Sequence, residues 1–290
     1  MSAALIEKAP AKINLTLRVC GRRPDGYHEI ESLVAFAAVA DTLTLHVDRE
    51  AGLELTGPFA GKSGALADNL VLKACAALRE RIAGLKTGRF LLDKNLPVAA
   101  GIGGGSADAA AAFRLIARAN NIALNDPRLA SSALAVGADV PVCLDPRPRI
   151  MRGVGELLSP PIDLPALPAL LANPGVPVVT RDVFGRLAGT QNQAGLADVP
   201  RKTDALIEYL KQHDNDLTAA ASACAPAIAE VLAALRGLAG VRLIRMSGSG
   251  ATCFALFGSR DEAAKAARRL KGERTDWWIC DTTIGSVAKS

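Results

Sequence analysis

Aromatic residues are scarce in this sequence, at 4% of its 290 positions, whereas half of the residues are apolar. We therefore expect the cores of the folded protein to be built mainly from Ala, Leu, Val and Ile. No apolar run reaches the ~18 residues that a membrane-spanning helix needs, and the N-terminal segment lacks the apolar stretch of a secretory leader. These absences predict a soluble, cytoplasmic protein that does not contact a membrane.

Paired cysteines and blocks of basic residues are also missing. None of the six cysteines stands in a CxxC pair, so we expect buried, reduced thiols rather than disulfides or a metal site. No long run of Lys and Arg occurs, and Trp277 and Trp278 are not interleaved with basic residues, which disfavours a nucleic-acid partner. The formal net charge of +5 suits an anionic partner without identifying it.

The length of the chain suggests about two domains. Pro146 and Pro148 interrupt the pattern of apolar residues, and we place the domain boundary there, with domains at 1–147 and 148–290. Because strand and helix patterns occur in both halves, the expected fold class is α+β.

Residues 12–19 alternate between apolar and polar side chains, which predicts a half-buried strand with Lys12 and Asn14 on its polar face. A turn follows at Arg-Pro-Asp-Gly, residues 23–26. Further strands are predicted at 29–36, 42–48, 88–93, 241–246, 251–257 and near 277–285, and helices at 68–83, 106–120, 128–136 and 260–271.

Three consecutive glycines, Gly103, Gly104 and Gly105, stand in the segment GIGGGS at 101–106, directly before the predicted Ala-rich helix. Glycines cost backbone entropy inside a helix or strand. In a loop they allow a tight bend that exposes N–H groups at a helix N-terminus, where the helix dipole favours an anion. We therefore predict a phosphate cradle, and a loop that only turns the chain is the alternative.

Two familiar phosphate loops do not fit this segment. No Lys follows the glycines as the Walker pattern requires. The dinucleotide fingerprint needs glycine where Ser106 stands and an acidic residue at the end of a strand ~20 residues later, where the sequence has a turn-like Asn-Asp-Pro at 125–127. A hydride-transferring oxidoreductase is therefore disfavoured.

Three segments resemble motifs of the GHMP kinases, a family that includes galactokinase, homoserine kinase and mevalonate kinase relatives. Residues 97–110 (PVAAGIGGGSADAA) are similar to the ATP-binding motif, residues 10–15 (PAKINL) to the N-terminal strand motif and residues 247–251 (SGSGA) to the C-terminal glycine loop. The resemblance implies a ribosomal protein S5 domain 2-like N-terminal domain and a GHMP kinase C-terminal domain. It also implies an ATP-dependent phosphotransferase that uses Mg²⁺.

Other segments resemble one branch of that family, whose members phosphorylate a hydroxyl of a cytidine-diphosphate-linked methylerythritol in the non-mevalonate isoprenoid pathway. The discriminating segments are 22–29 (RRPDGYHE), 68–70 (DNL), 137–142 (GADVPV), 153–156 (GVGE) and 173–175 (NPG). One departure is that some relatives carry glycines where Ala99 and Ala100 stand. These residues precede the cradle, so we expect only a slightly altered loop.

Asp139 is the candidate general base. It lies between the helix-stopping Gly137 and Pro141, so we expect irregular backbone to hold it, and the resemblance implies the same role. Phosphoryl transfer needs positioning, neutralisation of charge and removal of the acceptor proton. Lys12 is the candidate cation that keeps Asp139 ionised and stabilises the alkoxide. The alternative for Lys12 is a solvated surface side chain.

The resemblance implies two sets of binding residues. ATP is expected at Gly101, Gly103, Gly104, Gly105 and Ser106, with Asn69 and Lys94 near the adenine, and Ser106 is expected to contact a phosphate or Mg²⁺. The substrate is expected at Asn14, Tyr27, His28, Thr180 and Phe184. Tyr27 and Phe184 are expected to form two walls around the cytosine, and His28 to read its polar edge.

Two alternatives stay open beside this function. Another GHMP kinase could act on a plain alcohol or on phosphomevalonate, although a small polyol needs no aromatic clamp. A non-catalytic sensor could bind ATP or a metabolite through the same fold, although the sequence retains both Lys12 and Asp139.

Overall fold

The computed structural model describes residues 4–187 and 195–285 and has the mixed helix and strand content that the sequence predicts. The described residues form two compact units. Unit 1 comprises residues 4–11, 40–98 and 103–145, and unit 2 comprises residues 12–39, 99–102, 146–187 and 195–285. The predicted boundary between residues 147 and 148 stays a prediction.

The strands and helices are numbered in chain order. The strands are β1 (Leu5–Asn14), β2 (Arg18–Arg22), β3 (His28–His46), β4 (Gly52–Thr56), β5 (Arg89–Asp93), β6 (Arg149–Gly153), β7 (Leu157–Leu158), β8 (Leu167–Asn173), β9 (Val241–Met246), β10 (Cys253–Phe257) and β11 (Trp278–Gly285). The helices are α1 (Leu70–Arg79), α2 (Gly104–Ala119), α3 (Pro127–Val136), α4 (Val140–Leu144), α5 (Thr180–Gly185), α6 (Thr203–Lys211), α7 (Thr218–Cys224), α8 (Ala227–Arg236) and α9 (Arg260–Glu273).

Unit 1 packs helices α1–α4 together beside a small sheet. In this sheet β5 pairs in parallel with β4 and antiparallel with the second half of β3, where Thr42 lies opposite Asp93. Leu43 and Leu45 face the core and alternate with less buried threonines, as expected for a strand with one buried face. Helix α2 is buried on all sides from Ala107 to Ala117, which its many alanines permit because they need little space.

Polar caps set the starts of two helices in unit 1. The Asn69 side chain accepts a hydrogen bond from Val71 N (2.9 Å) at the start of α1, and Asp126 caps α3 before a proline at its first position. Helix α1 ends at Arg79, four residues before the predicted end. Its last buried side chain is Leu78 and the chain then continues in turns, so no core contact extends the helix.

Unit 2 is built on an antiparallel sheet. Its strands run in the order β3–β11–β8–β10–β9, and β3 also pairs with β2 and β6. The core behind this sheet combines side chains of helices α7–α9 with strand residues and with Leu17 and Val19 of the early chain. The early segment 12–39 therefore folds with the second half of the chain.

Two predicted strands are corrected. The strands at 29–36 and 42–48 are one continuous strand, β3, because different partners bond its two halves: β6 and β11 in unit 2, and β5 in unit 1. The strand at 12–19 is not half-buried, since every residue from 11 to 19 is buried. It is also divided, with β1 ending at Asn14 and β2 beginning at Arg18.

Among the described residues the cysteines form no disulfide, and Cys75, Cys143 and Cys253 are buried. Cys20 is exposed, contrary to the expectation of buried thiols, because β2 leaves the core at this residue. Within the two described ranges, no helix is long and apolar enough to cross a membrane.

Candidate active site

The glycine loop is shaped by alternate residues in the left-handed backbone region. Ala99, Gly101 and Gly103 have φ angles of 51°, 74° and 60°. A side chain at Gly101 would bring its Cβ to 2.5 Å from Ser247 O and 2.6 Å from Gly250 O, closer than atoms can approach. Glycine is therefore required at position 101 for both its conformation and its packing.

Helix α2 begins two residues before the predicted start. Its N-cap is Gly103, which has no capping side chain, and the predicted first residue, Ser106, lies inside the first turn. The first intrahelical bond is donated by Ala107 N to Gly103 O (2.8 Å). The N–H groups of residues 104–106 therefore have no acceptor within the helix. No acidic residue lies in this turn, so it is suited to an anion.

Lys94 lies next to this first turn. A Cβ at Gly104 would be 3.3 Å from Lys94 Nζ, so the glycine leaves room for the ammonium group. Lys94 is buried and forms ion pairs with Asp41 and with Asp108, whose Oδ2 is 2.7 Å from Nζ. Burial lowers the pKa of Lys94, but the two carboxylates outweigh this effect and raise it, so Lys94 is a cation.

Asn69 also lies near the loop. A Cβ at Gly105 would be 3.4 Å from Leu70 Cδ1, so the start of α1, which Asn69 caps, adjoins the first turn of α2. The structure thus gathers Asn69, Lys94 and Gly104 around one helix start, as a nucleotide site would require.

Asp139 is the N-cap residue of α4, but its side chain makes no capping hydrogen bond and is half-buried. Asp139 was predicted to lie in irregular backbone between Gly137 and Pro141. In the structure this backbone ends at Asp139, because α4 starts at Val140. Arg114 of α2 anchors the same helix by donating a hydrogen bond to Cys143 O (2.8 Å), and it also pairs with Glu7. Arg114 thus fixes the position of α4, and so of Asp139, relative to α2.

Lys12 belongs to a buried polar network in unit 2. It is 3% exposed, which excludes a solvated surface lysine. Its Nζ donates to Asn14 Oδ1 (2.9 Å), and Asn14 Nδ2 donates to Ser32 Oγ (2.7 Å). The Asn14 amide is buried, and a buried amide that lost a partner would destabilise the fold. These bonds therefore hold the Lys12 side chain in place.

The C-terminal glycine loop joins β9 to β10 and packs on the other end of this network. Ser247 Oγ accepts a hydrogen bond from Asn14 N (3.1 Å) and donates one to Gly101 O (2.9 Å). A Cβ at Gly248 would lie 2.7 Å from Gly101 O. The three motifs that resemble those of the GHMP kinases therefore meet at Ser247 and Gly101 within unit 2.

A cavity of about 510 Å³ lies beside the predicted substrate residues in unit 2. His28 stacks on Phe184 with ring centroids 5.0 Å apart and an angle of 25° between the rings. Arg22 and Arg181 line the same cavity. Burial, followed by the charge of Arg22, lowers the pKa of His28, which favours its neutral form with one donor and one acceptor nitrogen.

The other three predicted substrate residues, Asn14, Tyr27 and Thr180, are not among the residues that line this cavity. Tyr27 is 65% exposed, and in the described residues the ring stacked on Phe184 is that of His28. The hydroxyl of Thr180, at the start of α5, is 2.9 Å from Ser249 Oγ of the C-terminal glycine loop.

Several residues of these sites were not found from the sequence. The sequence analysis did not single out Asp41 or Asp108, although a carboxylate amid apolar neighbours is a signal that a buried partner exists. Arg22 belongs to the segment 22–29 and lies opposite His28 in the β2–β3 pair, and Arg181 follows Thr180, but the sequence analysis assigned neither arginine to a site.

Comparison with known proteins agrees with these motifs. The family described as GHMP kinases N terminal domain matches residues 69–145, and the family described as GHMP kinases C terminal matches residues 201–274. Together the matches cover more than half of the chain.

Curated relatives resemble the chain over nearly its whole length. A Rhodopseudomonas palustris (strain BisB5) protein is 54% identical, covering 95% of this chain and 97% of the relative. A Bradyrhizobium diazoefficiens protein is 53% identical, covering 97% of this chain and 98% of the relative. Both relatives are named 4-diphosphocytidyl-2-C-methyl-D-erythritol kinase.

Solved structures show the same architecture. A crystal structure of 4-(cytidine 5'-diphospho)-2C-methyl-D-erythritol kinase is 34% identical, with a TM-score of 0.76, and the match covers 98% of this chain and all of that one. Homoserine kinase from Cytophaga hutchinsonii is 21% identical, with a TM-score of 0.68 and coverage of 99% and 96%. This second likeness shows the fold alone.

Proposed function

Because the chain belongs to the GHMP kinase family, we propose that it transfers the γ-phosphoryl group of ATP to a hydroxyl of 4-diphosphocytidyl-2-C-methyl-D-erythritol. The relatives of this name share more than half of their residues with it over almost the full length. The single observation that carries the substrate is the cavity with the His28–Phe184 stack and two arginines. Aromatic rings suit a pyrimidine, and guanidinium groups suit a diphosphate.

Asp139 and Lys12 would carry out the chemistry. The Asp139 carboxylate takes the proton of the acceptor hydroxyl, the hydroxyl oxygen bonds to the γ-phosphorus, and the bond to the bridging oxygen of ADP breaks. Asp139 lies directly before α4 and is half-buried, and the hydrogen bond from Arg114 to Cys143 O holds this helix against α2. The Lys12 ammonium, held by Asn14 at 2.9 Å, neutralises charge on the reacting oxygens.

The start of α2 would hold the phosphates. The N–H groups of Gly104, Gly105 and Ser106 and the positive end of the helix dipole bind the anion. Lys94, which the resemblance implies near the adenine, adds a cation beside this turn. We place Asn69 near the adenine, because α1 begins beside Gly105.

Mg²⁺ would be bound with the nucleotide. In the described residues no group of three or more His, Cys, Asp or Glu side chains could hold a metal. This suits Mg²⁺, which commonly binds through substrate phosphates and few protein ligands, and the Ser106 hydroxyl in the first turn of α2 fits one such ligand. When bound, the ion neutralises charge on the phosphates.

The two alternative functions do not explain these features of the structure. A kinase of plain alcohols needs neither the aromatic stack nor the arginines that line the cavity. A non-catalytic sensor would gain nothing from burying Lys12, since burial of an amine is costly. We propose a cytoplasmic enzyme with a small-molecule substrate and no nucleic-acid partner.

The test is a measurement of ATP consumption with a panel of acceptors. The panel contains 4-diphosphocytidyl-2-C-methyl-D-erythritol, homoserine, mevalonate, phosphomevalonate and galactose, and the product is identified by mass spectrometry. We expect turnover with the cytidine-linked acceptor alone. Efficient turnover of another acceptor in preference to it would establish the plain-alcohol alternative, and binding of ATP without turnover of any acceptor would favour the sensor.

A further inference from the structure

The segment GVGE at 153–156 resembles a motif of one branch of the GHMP kinases, but none of its residues belongs to the proposed ATP site or lines the substrate cavity. It begins at the end of β6, where Gly153 lies opposite Ile30 of β3. Ile30 follows His28 by two residues in β3. The segment therefore lies beside the part of unit 2 that carries the predicted cytosine-binding residues.

The carboxylate of Glu156 folds back onto its own segment. Its Oε2 accepts a hydrogen bond from Val154 N (2.6 Å). A Cβ at Gly153, where φ is 71°, would lie 2.6 Å from both carboxylate oxygens, so only glycine admits this approach. The other oxygen, Oε1, lies 3.6 Å from Nη1 of Arg23. The segment thus directs a negative charge at Arg23.

Arg23 is the first residue of the turn 23–27, which is closed by its own hydrogen bonds. Arg23 N donates to Tyr27 O (2.7 Å), and Tyr27 N donates to Asp25 Oδ1 (3.1 Å), a bond typical of Asp in turns. The second oxygen of Asp25 lies 3.2 Å from Arg23 Nε. Both backbone polar groups of Tyr27 are therefore held, although its side chain is exposed.

The ion pairs of Arg23 matter for the turn rather than for the whole fold. The side chains of Arg23, Asp25 and Glu156 are 38%, 48% and 25% exposed, and ion pairs at such exposure add little to global stability. Their effect is local, because they restrict the turn. Gly26 of this turn lines the substrate cavity, and so does His28 directly after it.

The adjacent arginine, Arg22, has different surroundings. It lines the cavity, and in the described part of the chain it forms no ion pair with a carboxylate. Two carboxylates compensate the charge of Arg23, whereas the charge of Arg22 is open to an anionic ligand. The two neighbouring arginines therefore have separate roles.

We propose that Asp25 and Glu156 are positioning residues for the substrate, which act through Arg23 to hold the turn 23–27 in the conformation that presents the Tyr27 ring to the cytosine. Ordering of the turn then occurs on folding and does not weaken binding. With its backbone held, a tyrosine presents a large ring at a low cost in entropy, because it has only two side-chain torsions. The inference rests on the proposed function for the identity of the ligand.

The double variant Asp25→Asn/Glu156→Gln tests the positioning. It removes both negative charges from Arg23, while the amide oxygens can still accept from Tyr27 N and Val154 N. We expect calorimetry to show about three- to tenfold weaker binding of 4-diphosphocytidyl-2-C-methyl-D-erythritol, the combined strength of two exposed ion pairs. The affinity for ATP and the kcat at saturating substrate should stay unchanged, because only the presentation of Tyr27 is altered.

Hydrogen exchange followed by mass spectrometry measures the turn without any ligand. The amides of residues 23–27 should exchange faster in the double variant, because the turn opens more often. Arg22→Gln provides the comparison, since it removes a charge from the cavity and leaves the turn intact. It should weaken substrate binding without faster exchange at 23–27.

A double-mutant cycle with Tyr27→Ala tests whether the two carboxylates act through this ring. In the Tyr27→Ala background the Asp25→Asn/Glu156→Gln changes should weaken substrate binding by less than twofold, because the group that they position is gone. The full three- to tenfold loss in that background would show that the carboxylates act elsewhere and would contradict the proposal.

Asp204→Asn is the matched control, since it removes an ion pair with Arg242 (2.7 Å) at the surface of the same unit. It should match the wild type in substrate affinity and in exchange at 23–27. The proposal is wrong if the folded double variant exchanges at 23–27, or binds the substrate, like the wild type. If the double variant does not fold, Glu156→Gln alone decides by the same two measurements. Preference of the wild type for another acceptor in the panel would instead refute the proposed function, and the exchange measurement would still test the turn.

Discussion

Single polar residues in this protein derive their environment from distant parts of the chain. Asn14 bonds Lys12 and Ser32 through its side chain and Ser247 through its backbone, so four residues from three segments form one buried network. Each bond satisfies a polar group that would otherwise be buried without a partner. The cost of breaking such a network is what holds Lys12 in one geometry.

At the residue scale, Asp139→Asn should lower kcat by roughly 10²–10⁴-fold, the usual contribution of a general base. The amide cannot accept the hydroxyl proton, and because Asn has nearly the same size and shape as Asp the fold should be retained. Steady-state kinetics and nucleotide titration measure this, and ATP affinity should be unchanged. A variant with near-normal kcat would remove Asp139 from the mechanism.

The aromatic residues of the proposed substrate cavity give a second prediction at this scale. Stacking is worth roughly 1–3 kcal/mol per base, so Phe184→Ala should weaken binding of the cytidine-linked substrate by about 5- to 150-fold. Tyr27→Ala tests the second predicted wall, whose side chain is 65% exposed. Binding of substrate and of ATP is measured separately, and ATP should be unaffected.

The two variants distinguish the aromatic partners of the cytosine. Loss of affinity in Phe184→Ala alone would assign the second wall to His28, which stacks on Phe184 at 5.0 Å. Normal substrate binding by both variants would make the plain-alcohol kinase the better interpretation, and a loss confined to ATP would assign the cavity to the wrong nucleotide.

At the scale of elements, the glycine loop and α2 act together. In the loop, Ala99, Gly101 and Gly103 have positive φ angles. Helix α2 then starts on glycines, and no side chain caps its first N–H groups. A capping serine would satisfy one of these groups and compete with a phosphate. The start of α2 at Gly104, rather than at Ser106, thus leaves these N–H groups without a capping side chain, as the proposed phosphate site requires.

Gly104→Val should weaken ATP binding strongly while the substrate still binds. The new Cβ would meet Lys94 Nζ at 3.3 Å, and Lys94 cannot easily move because Asp41 and Asp108 hold it. Calorimetry measures both ligands, and Gly272→Val in α9, where a Cβ meets nothing within 4 Å, is the control. Unchanged ATP affinity in folded Gly104→Val would contradict the assignment of the phosphate loop.

At the scale of the whole molecule, the two units are interleaved along the chain. Residues 12–39 and 99–102 belong to unit 2, although residues 40–98 between them belong to unit 1. Strands β1 and β3 contribute residues to both units. The compact units are therefore not consecutive pieces of sequence.

This arrangement predicts that the fragments 1–147 and 148–290 do not fold when expressed separately. The second fragment would lack the part of β3 that pairs with β6 and β11, together with the core residues Leu17 and Val19. Thermal melts followed by circular dichroism should show no cooperative transition for either fragment, whereas the full chain and a mixture of co-expressed fragments should show one. A cooperative melt of an isolated fragment would contradict this prediction.

The sequence by itself determined the fold class and the family, because these depend on local chemistry and on motifs of consecutive residues. The predicted helix at 260–271 is confirmed as α9, whose Ser259–Glu262 capping box is a local signal. The predicted strand at 241–246 is confirmed as β9. The glycine loop likewise predicted a helix start, since its geometry follows from glycine itself.

Only the tertiary structure decided which side chains are buried and what they contact. The alternation at 12–19 predicted a polar face toward water, but the C-terminal glycine loop and β3 cover that face with hydrogen-bonding groups. Asp41 meets Lys94 across 53 positions of the sequence, and His28 meets Phe184 across 156. The spacing of apolar residues indicates the two faces of a helix or strand, but not which residues pack on each face. Contacts such as Asp41–Lys94 and His28–Phe184 therefore depend on how the chain folds and could not be predicted from the sequence pattern.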